Sequence, residues 1–314
     1  MKTIIVAALA AVALAAQAQA QDYTIIAPAN PGGGWDGTAR TMQAVMQDEG
    51  IAESVQVQNV PGAGGTIGLA QFASSAAGDP TQLIVGGYVM VGAILTNASP
   101  VSLDDVTPIA RLTGEYEAIV VPAASEVEDI DALVEMMRAD PGSVSWAGGS
   151  AGGVDHIAVG LLAQAAGVDP TAINYVAFSG GGEALAAILG SQVTAGVSSV
   201  SEFREQAEAG TLRILAVSSP ERIEGIDAPT LQEAGYDVTL QNWRMVAAAP
   251  GLTEEQVAEI TADVEALATS EGWQEALATQ GWEDTFLAGP EFDAQLEEDI
   301  ATTEAILTQI GLVQ

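Results

Sequence analysis

Short runs of β-branched and apolar residues alternate with longer amphipathic stretches along most of this chain. Tyr23–Ala29, Val55–Val60 and Gln82–Tyr88 each read as a strand, followed by a glycine-rich or small-residue turn and then a helical pattern. Glu117–Ala123, Ser143–Ala147, Ile173–Phe178, Val193–Ser198 and Leu212–Ser218 continue the series. Such alternation predicts an α/β fold with parallel sheets covered by helices on both faces. Near the end, Val257, Ile260, Val264 and Leu267 fall at helical spacing and predict one amphipathic helix. Two strand-like stretches, around Ala118–Ala123 and Leu240–Ala249, are suited to carry the chain from one lobe into another and back. The expected organisation is a first lobe from residues 21–120 and 247–314 and a second from 121–246. Two crossing strands would form the hinge. No internal repeat of about 20–50 residues interrupts this pattern.

The first twenty residues stand apart. Lys2 supplies a positive start, Ile4 to Ala16 is an unbroken apolar run, and Ala18-Gln19-Ala20 has the small-x-small form of a signal-peptidase site. The run is shorter than the roughly 20 apolar residues that span a bilayer, and no later segment reaches that length. The expectation is an exported protein cleaved near Ala20 and free in the periplasm. With no cysteine, the chain has no lipid-attachment thiol, no disulfide framework and no thiol chemistry.

Charge narrows the partners. The chain has 42 acidic residues against eight basic ones, a formal net charge of −34, and Lys2 is its only lysine. Such a surface repels nucleic acid and anionic lipid. The acids are spread along the chain rather than blocked, which fits a salty environment where a short screening length limits self-repulsion.

The informative chemistry lies in four small-residue loops at strand-to-helix junctions: Asn30–Asp36, Pro61–Thr66, Gly148–Gly153 and Ser179–Glu183. Glycine lets a ligand approach the backbone, and a helix start offers unpaired N–H groups carrying a partial positive charge. Two or three such starts converging make a carboxylate site without any lysine. Any one loop could equally be a tight turn. Four of them, divided between two lobes at the carboxyl ends of strands, point to a cleft.

Catalytic readings fail on the same residues. Gly148-Gly149-Ser150-Ala151-Gly152 matches a nucleophile elbow, yet the only histidine, His156, follows six residues later and precedes any candidate acid. Ser150 reads better as an anion-binding hydroxyl or helix cap, so a secreted serine hydrolase is the weakest alternative. One histidine and no cysteine give no metal cluster, and scattered carboxylates lack the spacing of an EF-hand calcium loop. A phosphate-binding loop needs Gly-Lys-Ser/Thr, and Ile67 breaks the dinucleotide pattern begun by Gly62-Ala63-Gly64. The residues favour binding without chemistry, and no cofactor is expected.

PANPGGGWDGTAR (Pro28–Arg40) and VPGAGG (Val60–Gly65) resemble the loops of the substrate-binding proteins of tripartite tricarboxylate transporters. Ala147–Pro170, Asn174–Phe203, Ala209–Arg222, Ala228–Val238 and Asn242–Gly251 extend the resemblance over essentially the whole chain after the first twenty residues. Gly-Gly-Gly-Trp-Asp and Asn-Trp-Arg look like the tricarboxylate-receptor branch. The resemblance implies a type II periplasmic-binding-protein fold, a Venus flytrap of two α/β lobes joined by a two-strand hinge. It also implies a monomer that closes on a citrate-like di- or tricarboxylate and delivers it to the membrane permease subunits of a tripartite tricarboxylate transporter. A sensory receptor feeding a membrane signalling protein would have the same pocket. Carried onto this chain, the ligand contacts would be Gly33, Gly34, Trp35, Asp36, Gly64, Thr66 and Tyr88 from the first lobe. From the second they would be Ser150, Gly152, Gly153, Ser179, Gly180, Ser198 and Ser199.

Individual residues refine this set. Asp36 sits awkwardly beside an anion and is expected to cap the following helix, with Arg40 pairing to it at i, i+4. Trp35 walls the cleft or packs in the core. Arg244, where the chain crosses the hinge, is a candidate counter-ion for the ligand, with a hinge salt bridge as its other role.

Overall fold

The computed structural model describes residues 21–313. The proposed export signal lies outside the described residues. The chain begins with β1 (Gln21–Ala27), α1 (Gly34–Asp48), β2 (Ala52–Asn59), α2 (Thr66–Ser75), β3 (Gln82–Gly87) and α3 (Tyr88–Thr96). The strands β2, β1 and β3 are parallel, as expected from strands separated by helices. Tyr23, Ile25, Leu83 and Val85 point into a core that also receives Ala39, Met42 and Met46 from one face of α1. These three fall at helical spacing and are fully buried.

A long strand, β4 (Thr107–Pro122), then leaves this unit and enters a second one. That second unit holds α4 (Ile130–Ala139), β5 (Ser145–Gly148), α5 (Val154–Ala165), β6 (Asn174–Ala177), α6 (Gly181–Leu189), β7 (Ala195–Ser199), α7 (Val200–Glu208) and β8 (Leu212–Val217). The chain returns through β9 (Gln241–Ala248) and ends with α8 (Glu254–Thr269), α9 (Glu271–Gln280), β10 (Glu283–Ala288) and α10 (Gly289–Gln309). The eight strands expected from the hydrophobic pattern are all present. The amphipathic stretch around Val257–Leu267 is α8, and β10 follows it, a strand the pattern did not reveal.

The sheets are mixed rather than wholly parallel. β5 pairs in parallel with β6 and β7, but every pairing made by β4 and β9 is antiparallel. Up to Tyr116, β4 pairs with β9; from Glu117 onward it pairs with β7 and β8. Leu240 still bonds to Ser218 of the second unit, while Gln241 pairs with Tyr116. The partner change therefore falls a few residues before the expected junctions at 120 and 246. α10 packs on α3, β4 and β10 and also reaches α5 of the second unit. It begins beside β10, yet Ile310 just beyond it packs on Gly160 of α5, where a Cβ would lie 2.9 Å from Ile310. The end of the chain thus touches both units.

Candidate functional site

The loops after β1, β5, β6 and β7 and the turn before α2 line a single cavity of about 470 Å³. Gly33, Gly34, Trp35 and Pro61–Gly65 make its first wall, and Ser150, Gly153, Ser179, Gly180, Ser198 and Ser199 much of the second. Asn242 and Arg244 of β9 join the two. The walls touch at one edge: a Cβ on Gly92 of α3 would lie 2.1 Å from the carbonyl oxygen of Gly152, so backbone meets backbone there.

Five helices start at this cavity. The cap residues of α1, α2, α5, α6 and α7, namely Gly33, Gly65, Gly153, Gly180 and Ser199, all line it. None of them gives a side-chain hydrogen bond to its helix. Three helices that start elsewhere are capped by side chains. Asp129 caps α4 by accepting from Ala132 at 2.7 Å, Thr253 caps α8, and Ser270 caps α9. α3 and α10 also lack a side-chain cap, but Pro290, the second residue of α10, has no N–H to satisfy. First-turn N–H groups of five helices are thus left without a side-chain cap around one cavity, each start carrying a partial positive charge.

Two of the loops share one build. The Gly33 N–H donates to Asn30 O at 3.0 Å, and the Gly153 N–H to Ser150 O at 2.9 Å. Gly32 and Gly152 both take left-handed φ angles, 84° and 76°, which favour glycine. The Gly32 N–H donates to Asp36 Oδ2 at 2.8 Å, whereas the Gly152 N–H donates to His156 Nδ1 at 3.3 Å. Asp36 is therefore not the cap of α1 but its third residue, reaching back to the loop. Its other oxygen accepts from Asn59 Nδ2 at 2.8 Å, and Arg40 Nε donates at 3.0 Å, the expected i, i+4 pair. Burial acts to raise the Asp36 carboxyl, but the hydrogen bonds from Arg40, Gly32 and Asn59 outweigh it and hold it below its ordinary value. His156 stacks flat on Tyr175 at 4.0 Å, and burial pushes its pKa down to about 4. The neutral ring can therefore accept.

Arg244 is buried at the hinge. It forms an ion pair with Glu115, donates to Thr38 Oγ1 at 3.4 Å and lies 5.3 Å over the Trp282 ring. A Cβ on Gly34 would meet its guanidinium at 2.5 Å, so only glycine lets this cation reach the start of α1. Arg244 is thus the hinge ion pair, and it also lines the cavity in which a ligand counter-ion was expected.

The second wall also carries acid. Asp155, Glu183 and Glu202 line the cavity. Asp155 accepts from the Gly149 N–H at 2.5 Å, Glu183 accepts from the Ser179 N–H at 3.2 Å, and the Ser198 hydroxyl donates to Glu202. Ser179 and Ser198, both expected ligand contacts, thus have one donor each, the Ser179 N–H and the Ser198 hydroxyl, engaged by the chain itself. Burial raises Asp155 to about 6 and Glu202 to about 7.

Of the expected contacts, Gly33, Gly34, Trp35, Gly64, Ser150, Gly153, Ser179, Gly180, Ser198, Ser199 and Arg244 line the cavity. Asp36, Thr66, Tyr88 and Gly152 do not. Asp36 braces the loop from behind, and the Thr66 hydroxyl donates to Ala63 O at 2.9 Å. Tyr88 packs edge-on against Trp243 at 6.1 Å, and the Gly152 N–H is taken by His156. Trp35 does both things expected of it, lining the cavity while nine-tenths buried in the core. The sequence reading missed Asp155, Glu183, Glu202 and Asn242. The first three are first-turn acids, whose only signal is one they share with ordinary exposed helix starts. Among the described residues, no three His, Asp or Glu side chains are arranged to hold a metal ion, and no helix is long and apolar enough to cross a membrane.

The sequence profile described as the tripartite tricarboxylate transporter family receptor matches residues 38–312. The chain belongs to this receptor family. Its relatives include Protein BugT of Bordetella pertussis, 30% identical over 267 residues that cover 83% of this receptor and 81% of BugT. MatC from Rhodopseudomonas palustris, solved with bound malate, is 26% identical, with a TM-score of 0.81 over 91% of this receptor and 99% of MatC. A second Rhodopseudomonas palustris protein, solved with adipate, has the same fold at 22% identity, with a TM-score of 0.83 over 93% of this receptor and 97% of that chain. The receptor is a solute-binding protein and not an enzyme.

Proposed function

We propose that this receptor works in the periplasm, after removal of residues 1–20, as a monomer that closes two lobes on a di- or tricarboxylate. It then delivers the ligand to the permease subunits of a tripartite tricarboxylate transporter. The lobes would divide where β4 and β9 change partners, and the two strands between them would bend. One observation carries the reading: five helix starts without side-chain caps surround a single cavity, while α4, α8 and α9 elsewhere are capped. A carboxylate held between Gly34 and its neighbours on one side and Val154 or Gly181 on the other would satisfy N–H groups from both lobes at once. It would thereby favour the closed form. A micromolar dissociation constant corresponds to about −8 kcal/mol, within reach of several charge-assisted hydrogen bonds in a site closed to water. The malate-bound relative and the adipate-bound structural neighbour support a ligand of that size and charge.

The test is thermal shift and calorimetry with malate, adipate, succinate and citrate, against their mono- and diamides. Stabilisation by at least one acid and none by the amides is expected. If no carboxylate stabilises the protein, the reading fails.

A further inference from the structure

The cavity poses an electrostatic problem that its glycine loops do not solve. Its one buried cation, Arg244, is already neutralised by Glu115. Behind and within the second wall stand three further carboxylates: Glu117 from β4, Asp155 from α5 and Glu202 from α7. Glu183 of α6 adds a fourth at the edge, and the neighbouring neutral groups are His156, Tyr175 and the Ser198, Ser199 and Ser201 hydroxyls. Glu117 is 1% exposed; one of its oxygens accepts only a 3.4 Å bond from Ser199, and the other has no hydrogen-bond donor. That carboxyl faces Asp155, with Glu115 and Glu202 close by. A buried oxygen without a donor, aimed at another carboxylate, is satisfied when one of the two carries a proton.

An incoming dicarboxylate would add negative charge to this already acidic wall, in a cleft that closes to water. The repulsion is relieved if a positive charge enters with it, and the simplest one is a proton from solvent, bound by the carboxylates of the wall itself. We propose that this receptor binds its carboxylate together with a proton, taken up by the Glu117, Asp155 and Glu202 group of the second wall. This rests on the carboxylate-receptor reading and deepens it. The glycine-flanked helix starts take the anion, and the acidic wall couples its capture to pH. Asp155 and Glu202, with pKa values near 6 and 7, are poised to respond around neutrality. Affinity would rise as pH falls, with a limit of tenfold per pH unit for one proton.

The experiment is titration calorimetry of the intact receptor with malate between about pH 7 and 8.5, where malate stays fully ionised. It is run in phosphate and in Tris, which differ in ionisation enthalpy. Expected are a binding heat that changes with the buffer, reporting net proton uptake, and a dissociation constant that rises severalfold per pH unit. In Glu202→Gln, which keeps the shape of the side chain, both effects should shrink. Malate binding with buffer-independent heat and a flat pH profile overturns the proton coupling and leaves the receptor reading intact. If malate, adipate and citrate all fail to bind, both fall.

Discussion

The two walls of the cleft solve one backbone problem with different side chains. In each, a left-handed glycine is followed by a capping glycine, and the third helical residue reaches back to accept the N–H of the first. In the first wall that residue is Asp36, a carboxylate fixed by three donors from Gly32, Arg40 and Asn59. In the second it is His156, a neutral ring with one donor and a stacked Tyr175. The lesson is one of charge placement. The first wall can afford an anion because Arg40 and Asn59 cover it behind the loop, away from the ligand. The second wall already holds Asp155, Glu117 and Glu202, and a neutral acceptor avoids adding a fourth buried carboxylate.

Breaking the bracing residues should separate the two loops. Asp36→Ala removes a buried carboxylate that accepts from the exposed Gly32 N–H, the half-buried Asn59 amide and Arg40, and a loss of about 2–3 kcal/mol in unfolding free energy is expected by denaturant titration. Gly152→Ala comes next. It forces a left-handed alanine and drives its methyl into Thr96, 2.4 Å away on the opposite wall, so stability should fall by about 1–2 kcal/mol. Closure should suffer as well, with malate affinity down about tenfold, a change equal to about 1.4 kcal/mol. Gly32→Ala has the same backbone strain but nothing within 4 Å of the new methyl, so it should cost about 1 kcal/mol and leave affinity nearly unchanged. If both alanines weaken binding equally, the contact between the walls is not what sets closure. His156→Ala, losing one acceptor and a stacked ring, should cost about 1–2 kcal/mol, less than Asp36→Ala.

Acid should distinguish the loops more finely. His156 titrates near 4 in the fold against an ordinary 6.5, so the stability it permits is complete above about pH 6.5 and is lost as pH falls toward 4. Asp36 is held below its ordinary 3.8, so its contribution is lost only at more acidic pH. Glu202 runs the other way: raised from 4.5 to about 7, it costs the fold stability as pH rises through that window. The advantage of the wild-type protein over His156→Gln should therefore shrink between pH 6.5 and 4, and Glu202→Gln should gain on wild type as pH rises from about 4.5 to 7 and keep that gain above it. Parallel unfolding curves at all pH values would remove both assignments.

Much of this was legible in the chain. β-branched runs marked eight strands, and the glycine clusters marked the loops at their ends, because strand formation and tight turns are local matters. Arg244 stood out as a cation at the hinge. What escaped had non-local causes. β10 is a short edge strand whose pairing with β4 depends on residues far away in sequence. The first half of β4 was hidden because its partner is β9, more than a hundred residues later. Asp155, Glu183 and Glu202 carry only the signal of first-turn acids, and it is the packing of the second unit that buries Asp155, half-buries Glu202 and leaves Glu183 exposed at the cavity edge. Asp36 was expected to cap its helix from outside, but the turn at Gly32 and Gly33 shifts the helix start and makes it the third residue.

The central claim is that helix-start amides from both walls bind one anion. The direct measurement is an amide-resolved NMR titration of the isotopically labelled receptor with malate. The account predicts concerted, saturable shifts of the Gly34, Trp35, Val154, Gly181 and Gly182 N–H signals at one equivalent, with the capped starts of α4, α8 and α9 unmoved. Shifts confined to one wall, or binding that leaves those amides where they were, would contradict it.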